Sequence, residues 1–237
     1  MNYNFSVSLK NKYIFCEVAK SGCSAVKKEL WRQELMGVPL PEQFVKAHRN
    51  PHAPFEQHLL IKPFQLGQTG FNDLVRDPSV VKWAVVRNPY SRALSGYLDK
   101  VCRNEPQFRN LAPNIAKLRG TEAAEVDHAT VTFEEYCTAL SLFEDPRFFD
   151  PHWRPQYYHI CGDIIPYSHI VKLETLNEER QNLSKILGLR EMTFKEGSSH
   201  ATGSNSKIHE YFNKNCRRII HEVYKQDFEK FNYPTEL

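Results

Sequence analysis

The sequence predicts an α/β fold: a central parallel β-sheet flanked by helices, with a helical C-terminal region. Short apolar runs, Tyr13-Ile-Phe-Cys-Glu-Val18, Val80-Val-Lys-Trp-Ala-Val-Val86 and Ile170-Val-Lys-Leu173, alternate with stretches of helical period. Such alternation implies parallel strands joined by helical crossovers. The first two runs lead straight into turns that start helices, Ser-Gly-Cys-Ser and Asn-Pro. From Ser204 onward the apolar positions follow helical spacing only.

Strand Tyr13–Val18 is followed by a turn and then by a helix from about Ser24 to Leu35, with Val26, Leu30, Trp31 and Leu35 on one face. Pro39 to Pro63 carries Pro and His, with a short candidate strand at His58–Lys62. Phe71–Arg76 reads as a short helix ended by Asp77-Pro78. Val80–Val86 reads as a buried strand, and Asn88 caps the next helix with Pro89 at its first position. Tyr90, Leu94, Tyr97, Leu98 and Val101 form the inward face of that helix. Glu105–Ala129 is polar and weakly patterned, a loop-rich insertion with a helix near Asn114–Arg119. Thr132–Leu142 is a helix opened by a capping box, Thr132 with Glu135. Ile170–Leu173 reads as another buried strand, followed by helix Asn177–Leu187, which stops at Gly188. Ser204–Phe231 reads as one long amphipathic helix with room for a single break, and its stripe Phe212, Cys216, Ile219, Val223 and Phe231 as core packing.

The 237 residues are 41% hydrophobic and 25% charged, which suits a single domain over 1–237 with a sizeable core. A formal net charge of +3 permits an anionic ligand without demanding nucleic acid, and no Lys/Arg run is dense enough for a nucleic-acid tail. No apolar stretch is long enough to cross a bilayer, and MNYNFSVSLKNKYIF lacks the charged start and apolar block of a signal peptide. A cytoplasmic protein is the expectation; a lumenal catalytic domain without its anchor is the alternative. The six cysteines, Cys16, Cys23, Cys102, Cys137, Cys161 and Cys216, form no CxxC pair, so no metal is expected. Most lie among apolar residues, as buried thiols do; Cys23 lies inside a loop.

That loop, Val18-Ala-Lys-Ser-Gly-Cys-Ser24, has the strand–turn–helix layout of a phosphate-binding loop but not the Walker pattern. Lys20 precedes Gly22, and Gly-Cys-Ser stands where Gly-Lys-Ser/Thr belongs. Ser21, Gly22, Cys23 and Ser24 can aim backbone N–H groups at an anion, helped by the helix dipole. Gly22 permits close approach or positive φ, Ser24 adds a hydroxyl, and Lys20 supplies a mobile point charge. The structural alternative is a tight turn with a solvated lysine.

The second chemistry-bearing stretch is Val85-Val-Arg-Asn-Pro-Tyr-Ser-Arg-Ala-Leu-Ser-Gly-Tyr97. Arg87 ends a buried strand, and Ser95 lies about two turns into the following helix. Ligands of open parallel sheets bind at the carboxyl ends of strands, so both stretches are expected on one sheet edge. There an arginine fork and a hydroxyl can hold a phosphate. The alternative for Arg87 is pairing with a carboxylate; Arg92 reads as a surface or ion-pair residue.

Together the two stretches resemble the nucleotide-binding elements of sulfotransferases. Phe133-Glu-Glu-Tyr136, Pro151-His-Trp-Arg-Pro-Gln156 with Val171-Lys-Leu-Glu-Thr-Leu176, and Val223-Tyr-Lys-Gln-Asp-Phe-Glu-Lys-Phe-Asn-Tyr233 narrow the resemblance to carbohydrate sulfotransferases of the chondroitin/dermatan and HNK-1 type. It covers nearly the whole chain, in order. It implies a P-loop-like sheet and 3′-phosphoadenosine 5′-phosphosulfate as donor, with no metal. It further implies that Lys20, Ser21, Gly22, Cys23, Ser24 and Ala25 hold the 5′-phosphosulfate, while Arg87 and Ser95 hold the 3′-phosphate. The implied acceptor is a glycan or another hydroxyl-bearing molecule. The family's proline before the loop lysine is Ala19 here and its threonine is Ser24. Its Golgi members carry a CxxC after the His-Trp block, of which Cys161 alone remains, so that disulfide is lost, as suits a reducing compartment. The insertion 105–129 matches the family least.

In-line transfer to an alcohol relies on positioning and electrostatics, and a general base helps a hydroxyl attack. His58, between the two nucleotide stretches as in related sulfotransferases, and His152, in the His-Trp block, are both candidates. His48 and His52 are rivals, and a structural role is the alternative for each. His200 with Ser199 could close over the nucleotide, or that segment could be a connector. Trp153, Tyr157 and Tyr158 could stack on a sugar or serve the core. Arg103, Arg109, Lys117, Arg119 and Arg154 could meet an acidic glycan; those in the insertion could equally be solvated surface. A P-loop kinase or NTPase and a non-catalytic glycan- or nucleotide-binding module are the competing functions.

Overall fold

A computed structural model describes residues 4–39, 59–194 and 203–237. The chain divides into two compact units, Met1–Val86 with Ile160–Ser198, and Arg87–His159 with Ser199–Leu237. The strands are β1 (Phe5–Ser8), β2 (Tyr13–Cys16), β3 (Val81–Val86) and β4 (His169–Lys172). The α-helices are α1 (Cys23–Leu35), α2 (Pro63–Arg76), α3 (Pro89–Gly96), α4 (Ala112–Arg119), α5 (Phe133–Ser141), α6 (Gln156–His159), α7 (Leu176–Ile186), α8 (Ser204–Tyr211), α9 (Lys214–Val223) and α10 (Lys225–Lys230).

In the first unit the four strands make one sheet in the order β1-β2-β3-β4. β2 pairs parallel with β3, Cys16 opposite Ala84, and β3 pairs parallel with β4, Val86 opposite Lys172. The expected parallel sheet is therefore present, extended by an antiparallel hairpin strand, β1. Sequence reading missed β1 because its serines looked polar, yet all four of its residues are buried. α1 lays Val26, Leu30 and Trp31 against Phe15, Trp83, Val85 and Val171, and α7 adds Leu176 and Leu183 to the same core. Trp83 and Phe15 have ring centroids 4.5 Å apart. Each such buried side chain contributes roughly 1.5–3 kcal/mol of transfer free energy.

Three expectations for this unit change. Among the described residues β4 is an edge strand: Val171 is buried while Ile170 is 39% exposed, and no described strand lies beyond it in the sheet. The helix expected at Phe71–Arg76 begins at Pro63, since proline suits a first turn; Gly67, at φ 67°, kinks it. Within His58–Lys62 the pairing described is a bridge of Ile61 with Val7; His58 itself lies outside the described residues.

The second unit is helical. Asn88 caps α3, accepting from the N–H groups of Tyr90 and Ser91. The chain continues through a π-helical turn, Tyr97–Val101. An aromatic core joins Tyr90 to Phe228 and Phe133 to Phe212, each at 4.8 Å between centroids. The insertion is more ordered than its polarity suggested: Phe108, Leu111, Ile115 and Ala116 are buried around α4. The expected C-terminal helix is three helices, α8 to α10. Asn213 interrupts it by accepting from the Cys216 N–H at 2.8 Å, which caps α9. Tyr224 interrupts it again, its hydroxyl donating to Trp153 O at 2.7 Å.

The capping box forms as expected, Thr132 Oγ1 accepting from the Glu135 N–H and Glu135 from the Thr132 N–H. Glu135 also takes a forked pair from Arg119, at 2.7 and 2.9 Å. The Arg119 hydrogen bonds, with those from Thr132, outweigh burial and hold the Glu135 carboxyl down at about 2, below its ordinary 4.5. A depressed carboxylate stabilises the fold above its unfolded pKa and loses that contribution as pH falls towards the folded value. Glu135→Ala should therefore cost about 1 kcal/mol near neutral pH. In urea titrations its gap from wild type should narrow as pH drops from about 4.5 towards about 2; a gap unchanged by acid would contradict this.

Candidate functional site

The loop between β2 and α1 is built from two left-handed residues around Ser21: Lys20 at φ 68° and Gly22 at φ 74°. A lysine in this region is uncommon and strained, and alternation of this kind turns successive N–H groups to one side. Gly22 is required twice. Its φ is positive, and a Cβ there would lie 2.7 Å from Leu173 Cδ1. Gly22 is also the N-cap of α1 and has no side chain with which to cap it, and no acidic residue occupies the first turn. The initial amides of a helix lack intrahelical acceptors, so this end favours an anion. Burial, then the charge of Glu17, pushes the Cys23 thiol up, so Cys23 stays protonated and is no nucleophile.

Both sides of the loop are tied by charge. Glu17 directly follows β2, and its carboxylate lies 2.8 Å from Lys27 Nζ on α1 and 3.0 Å from Lys62 Nζ. Ser6 Oγ, 3.0 Å from both Glu17 and Lys62, completes the cluster. The two lysine side chains are 5% and 3% exposed. Burial raises the Glu17 pKa, but the Lys27 and Lys62 charges and hydrogen bonds more than offset it and hold the carboxyl below its ordinary range. Glu17 thus bridges the two lysines.

In the second unit Arg87 is the first residue after β3. Its Nε donates to Ser91 Oγ at 3.0 Å and its Nη2 to Ser204 Oγ at 2.7 Å. Ser95 is 2% exposed on α3. The guanidinium thus sits among hydroxyls, of which Ser91, one turn along α3, and Ser204 were missed in the sequence. The i, i+4 spacing of Arg87 and Ser91 was the available signal; nothing local marked Ser204.

His152 is held from several sides. Its Nδ1 lies 2.7 Å from Asp150 Oδ1, which also accepts its backbone N–H. Burial raises the Asp150 pKa, but the His152 hydrogen bonds and the His152 and Arg154 charges bring it below its ordinary value. Arg92 is not a surface residue: it is 1% exposed, and it donates to Arg154 O and Pro151 O on either side of His152. Gly96 allows this segment close, since a Cβ there would meet Tyr136 Oη at 3.1 Å and His152 O at 3.5 Å. Trp153 is fully buried and offers no face to a sugar; Tyr157 and Tyr158 are half-buried. Arg119 and Arg103 are committed to Glu135 and Asp99, and Arg154 to Phe149 O. Arg109 and Lys117 are exposed. His48, His52, His58, Ser199 and His200 lie outside the described residues.

The model of the sulfotransferase family matches residues 3–234. This chain belongs to that family. It is 26% identical to human carbohydrate sulfotransferase 9 over 239 residues, covering 95% of this chain and 52% of that protein. It is 27% identical to carbohydrate sulfotransferase 10 of Xenopus laevis, over 98% of this chain and 68% of the relative. It is 25% identical to carbohydrate sulfotransferase 12 of the same species, over 93% and 58%. The chain thus spans about half to two-thirds of the length of these relatives. No solved structure matches it significantly. Among the described residues no helix is long and apolar enough to cross a membrane.

Removing Glu17 takes the carboxylate away from two buried ammonium groups. Glu17→Gln should therefore cost about 3–5 kcal/mol in urea unfolding, whereas replacing Glu17, Lys27 and Lys62 together with methionine should recover most of that loss. A Glu17→Gln protein as stable as wild type would show that the cluster does not hold the loop.

Proposed function

We propose that this chain transfers a sulfuryl group from 3′-phosphoadenosine 5′-phosphosulfate to a hydroxyl of a carbohydrate, releasing adenosine 3′,5′-bisphosphate. The observation that carries this reading is the left-handed Lys20–Gly22 turn in front of an α1 N-terminus whose first turn holds no acidic residue, in a chain of the sulfotransferase family.

The residues divide the work. Within the Ser21–Ala25 turn, the backbone N–H groups of Gly22, Cys23 and Ser24 and the Ser24 hydroxyl bind the 5′-phosphate, while the Ser21 and Ala25 N–H groups hold the turn by donating to Val18 O and Gly22 O. The donor supplies an activated sulfuryl group whose bridging oxygen gains negative charge as the bond to sulfur breaks. Lys20 neutralises that charge, and a preorganised cation is most effective where charge develops only in the transition state. No Walker-type lysine and magnesium ligand are needed after the glycine. Arg87 and Ser95 bind the 3′-phosphate, with Ser91 and Ser204 orienting the guanidinium.

His152 is the favoured general base of the two candidates. With Nδ1–H donated to the Asp150 carboxylate, the lone pair of Nε2 is left to accept the proton of the acceptor hydroxyl. His58 is the rival. The exposed Arg109 and Lys117 of the insertion suit an acidic glycan.

Calorimetry with adenosine 3′,5′-bisphosphate should show tight binding, equal with and without magnesium, and weakened roughly a hundredfold by Arg87→Ala. Absence of binding by folded wild type, or a requirement for magnesium, would overturn the reading. With labelled donor and a glycan panel, Lys20→Ala should lower turnover roughly 10²–10³-fold. His152→Ala should lower it roughly 10²–10⁴-fold; full activity in His152→Ala with collapse in His58→Ala would reassign the base.

A further inference from the structure

Gln156 and Asp227 are fully buried polar side chains in the second unit, and neither is used by the chemistry above. The Gln156 amide clasps the main chain of Arg87 with two bonds. Its Oε1 accepts from the Arg87 N–H at 2.8 Å, and its Nε2 donates to the Arg87 carbonyl at 2.8 Å. This is the pattern a neighbouring strand would offer, supplied by one side chain. It acts one residue past Val86, the last residue of β3 paired with β4.

Asp227 stands behind the clasp. Its Oδ2 accepts from the Gln156 N–H at 2.8 Å and from Gln156 Nε2 at 3.3 Å, and its Oδ1 accepts from the Tyr157 N–H at 2.8 Å. A fully buried carboxylate is costly unless several donors satisfy it, and burial does push the Asp227 carboxyl up. With its nitrogen drawn to both Asp227 and the Arg87 carbonyl, the amide has one consistent orientation. The direction of an arginine side chain is dictated by its Cα and the peptide planes on either side. Clamping both main-chain polar groups of Arg87 therefore aims the guanidinium, which Ser91 and Ser204 then hold at its far end.

We propose that Gln156 and Asp227 are positioning residues for Arg87, presenting its guanidinium to the 3′-phosphate of the nucleotide; this rests on the donor reading above. Gln156 acts directly on the Arg87 main chain and Asp227 acts through Gln156. The relay unites three stretches far apart in the chain, around Arg87, Gln156 and Asp227.

The test compares adenosine 3′,5′-bisphosphate with adenosine 5′-monophosphate, which lacks the 3′-phosphate, by calorimetry. Gln156→Met keeps the length of the side chain and removes the clasp. It should weaken the bisphosphate roughly tenfold or more and leave the monophosphate within about twofold. Combined with Arg87→Ala it should add little further loss, because both changes remove one interaction. Equal weakening of both nucleotides, losses that add in the double variant, or no change in either would overturn the proposal. Should Gln156→Met fail to fold, Asp227→Asn, which preserves the shape of the carboxyl, is read by the same ratio. Wild type that binds neither nucleotide overturns the donor reading and this inference with it. Wild type that prefers the bisphosphate while folded variants keep that preference overturns only the relay.

Discussion

Parallel pairing of β2 with β3 and of β3 with β4 is the constraint on which the rest depends. Parallel neighbours cannot be joined by tight hairpins, so each strand must be left by a long connection. Each connection starts at a carboxyl end, on one edge of the sheet. The β2 exit must turn at once into α1, which needs the left-handed Gly22. The β3 exit begins at Arg87, where sheet pairing has ended and the backbone needs other partners. Gln156 supplies them.

Two buried carboxylates solve related problems by different chemistry. Glu17 is matched by two lysines, and Coulomb attraction outweighs its desolvation, so it is held ionised beside the loop. Asp227 is hydrogen-bonded by neutral N–H donors, with the Arg92 charge acting on it as well, and there desolvation prevails in the direction of its pKa. Ion pairs of the first kind are demanding, since loss of one partner leaves uncompensated charge. The second kind is directional: amide donors at fixed angles transmit orientation better than strength. Each ties together segments far apart in the chain. Lys62 is 45 residues from Glu17, and Asp227 is 71 residues from Gln156.

The His152 segment follows the same economy. Arg92 is spent on carbonyls either side of the histidine, and Tyr224 Oη holds the Trp153 carbonyl. A loop so anchored keeps a ring in one orientation without regular secondary structure, as a general base that takes a proton from a positioned hydroxyl would need.

Much of this was legible from local signals. Strands β2 and β3, helix α1, the Asn88 cap, the Thr132–Glu135 box and the stop at Gly188 follow from periodicity and capping chemistry, which act over a few residues. The loop at Lys20 and the stretch at Arg87 were visible because each gathers characteristic residue types at short spacing. Burial of Arg92, the commitment of Arg119 to Glu135 and the breaks at Asn213 and Tyr224 were not visible. In each case a polar group found its partner far along the chain, and propensity carries no record of such a partner. β1 hid its burial behind two serines for the same reason. The amino-acid sequence by itself therefore determined the strand–helix alternation, the tight turn at Gly22 and the family. Only the tertiary structure decided which hydroxyls surround Arg87, which carboxylate pairs with His152 and which amide clasps the Arg87 main chain, because those choices depend on desolvation and on contacts that exist only once distant segments have packed.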